Sequence, residues 1–237
     1  LSVPWEPCLL KPRHDGVLES YARRKMGVPH PAIRYFADCP WLARAVVDLQ
    51  PEQGLLMELD AHLADLISLV VSQENSCRYC YAAVRAMLRI QGMSEARIQR
   101  LEQDLTREDL EPRWVAAMTF GRTQSRSAPA VTSGARQALL GAGIGVNEMK
   151  EIAFVVAVMD FMNRASTIPA IPSRGIERVP DRLHVRLFRP LIARMLEARR
   201  SRGRPTPLDR IPSYPYAALV TAFAGSPGKP SDAAKIR

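Results

Sequence analysis

Apolar residues along this chain recur at intervals of three and four, and no stretch alternates apolar and polar positions with the two-residue period of a half-buried strand. The spacing predicts an all-α protein. From Pro31 the pattern runs through Ile33, Phe36, Trp41, Leu42, Ala45, Val46 and Leu49. A long helix is expected from Pro51, with Leu55, Leu56, Leu59, Leu63, Leu66, Ile67 and Val70 in helical register. After the polar link Ser72-Gln73-Glu74-Asn75, a further helix carries Ala83, Val84, Met87, Leu88 and Ile90, with Ser76 as its N-cap and Gly92 as its stop. Ser94 is expected to cap a short helix holding Ile98 and Leu101. The next runs from Thr106 or Pro112 through Trp114, Ala117, Met118 and Phe120. Thr132 opens another, ending at Gly141-Ala142-Gly143. Asn147 then caps a helix so apolar from Ile152 to Met162 that it should be central and buried.

Three regions follow from these patterns. Residues 1–30 are rich in Pro and polar groups, lack a sustained period, and are read as an irregular N-terminal arm. Residues 31–172 form a helical domain, and residues 173–237 hold a basic amphipathic helix and an extended tail. Within the domain, placing Asp65–Cys80 beneath Glu151–Ser166, an offset of 86, pairs acid with acid and apolar helix with apolar helix. Cys77 then meets Asn163, Arg78 meets Arg164, and Cys80 meets Ser166. The comparison predicts two related helical units, about residues 51–103 and 132–172, with only the first carrying cysteines.

Composition narrows the class. At 237 residues, 47% hydrophobic and 24% charged, the chain has the make-up of an ordinary globular protein with a full core. Four cysteines are too few and too unevenly spaced for a disulfide scaffold and suggest a reducing compartment with one special pair. The run from Ile152 to Met162 is 11 residues long and contains Asp160, too short to span a bilayer. The first residues lack the basic start and apolar core of a secretory signal, so a cytoplasmic location is expected. Of the net charge of +9, most belongs to residues 174–210, where eleven arginines face four acids. There Leu183, Leu187, Leu191 and Met195 recur every four residues with arginines on the other faces. Packing of that stripe on the core or on a second subunit is favoured over nucleic-acid or membrane contact, because no stacking aromatics alternate with the arginines.

The candidate chemistry lies in Ser76-Cys77-Arg78-Tyr79-Cys80. With Ser76 as N-cap, Cys77 falls in the first helical turn and Cys80 one turn on, where backbone N–H groups and the helix dipole favour a thiolate. By the dipole alone Cys77 is the more acidic. Such a pair can cycle between dithiol and disulfide; the alternatives are two inert buried thiols, or zinc, for which one CxxC supplies half a ligand set. No metal is expected. Asp65 lies on a polar stripe with His62, Ser68 and Ser72, read either as a solvated face or as a face turned to the cysteines, with Asp65 as acid/base and His62 one turn away. Tyr79 could donate a hydrogen bond to a substrate oxygen or serve in packing, and Glu151 is either a relay carboxylate or a helix N-terminal acid.

Over residues 30–172 the chain resembles the alkylhydroperoxidase D-like/carboxymuconolactone decarboxylase family in its two-repeat, peroxidase-related form. The resemblance is carried by Asp65, Ser72, Asn75, Cys77-Arg78-Tyr79-Cys80, Gly92-Met93-Ser94 and Phe161-Met162-Asn163-Arg164. It implies an all-helical homo-oligomer in which Cys80 attacks a hydroperoxide, Cys77 resolves the product as a disulfide, and a Glu and a His relay the proton. Asp65 stands where the family has Glu, and Val84 where it has His, leaving His62 as the stand-in. The expectation is a thiol-dependent peroxidase of antioxidant role, with no bound cofactor, reduced by an external thiol or dithiol protein. One alternative is a catalytically weakened or inactive scaffold that binds a partner through the basic helix. Another is a lactone decarboxylase, a family activity that does not require the CxxC.

Overall fold

A computed structural model describes residues 6–26, 30–49, 56–105, 110–126 and 133–202, and no strand occurs among them. The helices in chain order are α1 (Gly16–Met26), α2 (Pro40–Asp48), α3 (Ala61–Glu74), α4 (Arg78–Ile90), α5 (Glu95–Gln103), α6 (Pro112–Arg126), α7 (Ser133–Gly141), α8 (Val146–Thr167) and α9 (Leu183–Arg202). Among the described residues, two 3-10 turns, Pro31–Phe36 and Ile176–Asp181, join them.

The core is built around α3. Every residue from Leu63 to Ser72 is buried, and the helix packs against α4, α6 and α8. A helix enclosed on all sides needs apolar residues all round, which the sequence supplies; its three polar members, Asp65, Ser68 and Ser72, are buried with it. The Ser68 hydroxyl is satisfied by its own helix, donating to the Ala64 carbonyl at 2.8 Å. Close packing of α6 on α3 relies on Gly121, where a Cβ would lie 3.1 Å from Ile67 Cγ2 and 3.5 Å from Val156 Cγ2.

Several boundaries differ from the sequence expectation. The helix expected from Pro51 starts at Ala61; residues 51–55 lie outside the described residues, and Leu56–Leu59 are not helical. Asp60 is its N-cap, its carboxylate accepting from the His62 and Leu63 amides. The amides of Met57, Glu58 and Leu59 instead donate to Glu151 on α8, at 2.7, 3.0 and 2.7 Å. Glu151 is therefore a structural clamp on the segment before α3, neither a relay acid nor a plain dipole partner. The arm read as irregular contains α1, which packs on α2 through buried Leu18 and Ala22. Gly145, not Asn147, is the N-cap of α8, whereas Ser94 caps α5 as expected by accepting from the Arg97 amide.

At the C-terminal end, Arg89 of α4 holds the 176–181 turn by pairing with Asp181 and donating to the Glu177 carbonyl at 3.2 Å. Helix α9 follows from that turn and buries Val185. Its apolar stripe does not reach the core: Leu183, Leu187, Leu191 and Met195 are all more than half exposed. The tail from 203 onward lies outside the described residues.

Candidate active site

The two cysteines meet at the junction of α3 and α4, and the junction is made by the backbone. Ser76 is not an N-cap; it has φ +52°, the left-handed conformation that ends a helix. The Cys77 amide donates to the Ser72 carbonyl and the Ser76 amide to the Gln73 carbonyl, at 3.0 and 3.1 Å, closing the last turn of α3. Cys77 then becomes the N-cap of α4, with an extended backbone and its sulfur accepting the Cys80 amide at 3.3 Å. One residue thus finishes one helix and starts the next.

That position sets the electrostatics. The Cys77 thiol is pushed down, first by the hydrogen bond from the Cys80 thiol and against the cost of burial, then by the Cys80 amide, the Thr167 hydroxyl and the Tyr79 amide. Cys80 is pushed well up, chiefly because its proton is held by Cys77, with burial adding to the effect. The first negative charge of the pair therefore rests on Cys77, the sulfur nearer the helix N-terminus. Both are reduced and buried, Cys80 slightly more open at 7% exposure against 1%.

Helix α8 supplies the facing wall. Ser166 lies 3.8 Å from the Cys80 sulfur and favours its charged form. The neighbouring Thr167 hydroxyl is buried beside Cys77 but meets no partner in full hydrogen-bond geometry, so its effect on that sulfur is a weak one. The Ser72 hydroxyl donates to Asn163 Oδ1 at 3.2 Å and the Asn75 side-chain Nδ2 to Asp160 Oδ1 at 2.6 Å, sewing the junction to α8. Ser166 was visible in the sequence as the position aligned with Cys80 at an offset of 86, though not as its neighbour in space.

The remaining expected site residues separate. Tyr79 lies beside the pair, but its hydroxyl is buried and accepts the Ala32 amide at 3.2 Å, tying the 31–36 turn to α4. Burial, with the neighbouring thiol charges, pushes it above the usual phenol range. Asp65 and His62 gather round Gln91, the C-cap of α4: Gln91 donates to Asp65 at 2.7 Å and its amide oxygen lies 2.8 Å from His62 Nδ1. Gln91 is eleven residues beyond Cys80, about 16 Å along the helix. The polar stripe is thus not a solvated face, and its Asp65 and His62 members tie the far end of the α3–α4 hairpin. Gln91 carried no sequence signal beyond lying next to the helix stop. Among the described residues no group of acids, histidines and cysteines could hold a metal ion, and no helix is long and apolar enough to cross a membrane.

Comparison with known proteins meets this geometry from outside. Residues 52–122, which include the thiol pair, match the family model described as the carboxymuconolactone decarboxylase family. The alkylhydroperoxidase AhpD core of an uncharacterised peroxidase-related protein from Ralstonia eutropha JMP134 superposes with TM-score 0.62 at 20% identity, over 73% of this chain and 96% of that one. The fold is AhpD-like. A peroxidase-related protein from Silicibacter sp. TM1040 shares it with TM-score 0.61 and 20% identity, over 73% of this chain and 94% of that one. So does a cysteine-to-alanine form of the debrominase Bmp8 in complex with 2,3,4-tribromopyrrole, with TM-score 0.62 and 16% identity over 74% and 96%. No curated protein matches the sequence. The AhpD-like core thus extends well beyond the 52–122 segment and accounts for nearly the whole of each of these neighbours.

Proposed function

We propose that the protein is a thiol-dependent oxidoreductase that reduces hydroperoxides by cycling Cys77 and Cys80 between dithiol and disulfide. The observation that carries this reading is the Cys77 sulfur in the cap of α4, charged in preference to Cys80 and hydrogen-bonded to it. The dithiol monoanion has one proton to place. Passing it along the S–H···S bond from Cys80 to Cys77 leaves the charge on the more open sulfur, supported by Ser166. The Cys80 thiolate attacks the outer oxygen of the hydroperoxide, the O–O bond breaks, and Cys80 becomes a sulfenic acid. The Cys77 proton goes to the departing alkoxide, giving the alcohol. Cys77, again a thiolate, attacks the sulfenic sulfur, expels hydroxide and closes the disulfide. An external dithiol then reduces that bond and is itself oxidised. In this scheme Cys77 acts as both proton carrier and resolving thiol, which removes the need for a histidine at Val84 or for Asp65 at the sulfurs.

The test is peroxide consumption with a dithiol reductant in excess, together with intact-mass detection of the disulfide. Cys80→Ser should abolish turnover, and Cys77→Ser should leave Cys80 to overoxidise after one cycle. Unchanged turnover in Cys80→Ser would overturn the assignment, while a native protein that consumes no peroxide would favour the scaffold reading.

A further inference from the structure

A cavity of about 220 Å³ opens beside Tyr79, enclosed by α1, the 31–36 turn and the segment 172–174. It is smaller than the roughly 300–1,000 Å³ typical of ligand pockets, so its occupant must be small. Three arginines line it, Arg23, Arg34 and Arg174, against one acid, Glu19. Glu19 is already committed: Arg34 grips it through Nε and Nη2 at 2.8 and 3.1 Å, and with His14 holds its carboxyl down to about 2. Arg23 and Arg174 form no ion pair among the described residues. Arg174 instead lies 5.3 Å from the centre of the Tyr35 ring, on a backbone held at φ +48°. A non-glycine residue in that conformation is strained and is kept there by its surroundings.

The rest of the lining is flat and mostly apolar, with Tyr35, Tyr79 and His30 presenting rings. His30 retains some exposed surface, yet its Nδ1 is out of reach of solvent and has no hydrogen-bond partner. Burial pushes the ring down to about 4, so it is neutral at pH 7 and adds no charge to the arginines. An unmatched pair of guanidinium groups, flanked by aromatic rings in a small recess, matches an organic anion whose body is itself a ring.

We propose that this cavity is a binding site for a small aromatic carboxylate, with Arg23 and Arg174 taking the carboxylate and Tyr35, Tyr79 and His30 flanking the ring. The site goes beyond the redox reading and uses no thiol chemistry, so either can fail while the other stands. Tyr79 nevertheless precedes Cys80 in α4, which places any occupant one residue from the thiol pair.

The test is calorimetric titration of the full-length reduced protein with benzoate, in the absence of peroxide, with benzamide and inorganic phosphate as separate arms. Benzoate should saturate one site per chain, with benzamide and phosphate each about ten-fold weaker or worse. Arg23→Gln, exposed on α1, and Arg174→Gln should each weaken benzoate by about ten-fold or more while circular dichroism stays native. Benzamide or phosphate binding as tightly as benzoate, folded arginine variants that bind like the native protein, or no saturable benzoate binding would each overturn the assignment.

Discussion

Burial of His30 makes the fold acid-sensitive in a window that can be worked out in advance. Its ring takes up a proton at about 4 in the folded chain against 6.5 when free, because burial disfavours the charged form. Arg23, Arg34 and Arg174 line the same cavity, with Glu19 paired to Arg34. The folded pKa is the lower one, so His30's contribution is full above about 6.5, shrinks as pH falls, and levels off below about 4. At 1.36 kcal/mol per unit, the unfolded chain's preference for the proton amounts to about 2–3 kcal/mol at pH 4.5, an upper value because part of the residue meets solvent. Urea unfolding followed by circular dichroism at pH 7.5 and 4.5, in the native protein and in His30→Asn, isolates the effect, since every other titrating group is common to both. The variant should be less stable at pH 7.5 but lose about 2–3 kcal/mol less between the two pH values. Parallel losses in the two proteins would refute the argument.

Three further outcomes follow from packing and polar contacts. Glu151→Ala strips three backbone amides of their shared acceptor, and should cost about 2 kcal/mol in urea unfolding and raise amide exchange at 57–59. Gly121→Leu, forced against Ile67 and Val156, should lower stability by about 1–3 kcal/mol, whereas Gly121→Ala sets a clash of a few tenths of an ångström against a better helix former and should stay within about 1 kcal/mol of native. Glu148 is buried and its two carboxylate oxygens both lie 2.7 Å from Arg113 Nη2, so Arg113→Ala should cost about 3 kcal/mol, partly recovered by Glu148→Gln in the double variant.

Much of the scaffold was legible because it depends on local pattern. The buried face of α8, the Ser94 cap and the Gly92 stop follow from residue type and spacing, and Gly92 does sit at φ +108°, although Ala153 and Ala157 leave the other side of α8 exposed. The thiol pair was also legible, but its helix entrance was not: a serine in the left-handed region is indistinguishable in sequence from a serine N-cap. Helix α1 escaped detection because its polar composition leaves two buried contacts, Leu18 and Ala22, to set its face. Asp65 was grouped with the cysteines on family pattern and His62 on its place in the same polar stripe, and the hairpin geometry delivers both to Gln91 instead. His30 carried no signal at all, since a lone histidine in a Pro-rich stretch becomes buried only when distant elements close over it.

The α3–α4 break also bears on any attempt to engineer a second thiol pair on α8. Helix α8 runs without interruption through Asn163 and Ser166, the positions that match Cys77 and Cys80. Grafting cysteines there would place both sulfurs in the C-terminal turns of a continuous helix, where the amides that would greet a thiolate are already spent on carbonyls one turn back. Two substitutions would copy the letters of the motif without its acidity. A reactive second centre would require a chain reversal ahead of position 163 as well, so the step from scaffold to redox site lies in the backbone before it lies in the side chains.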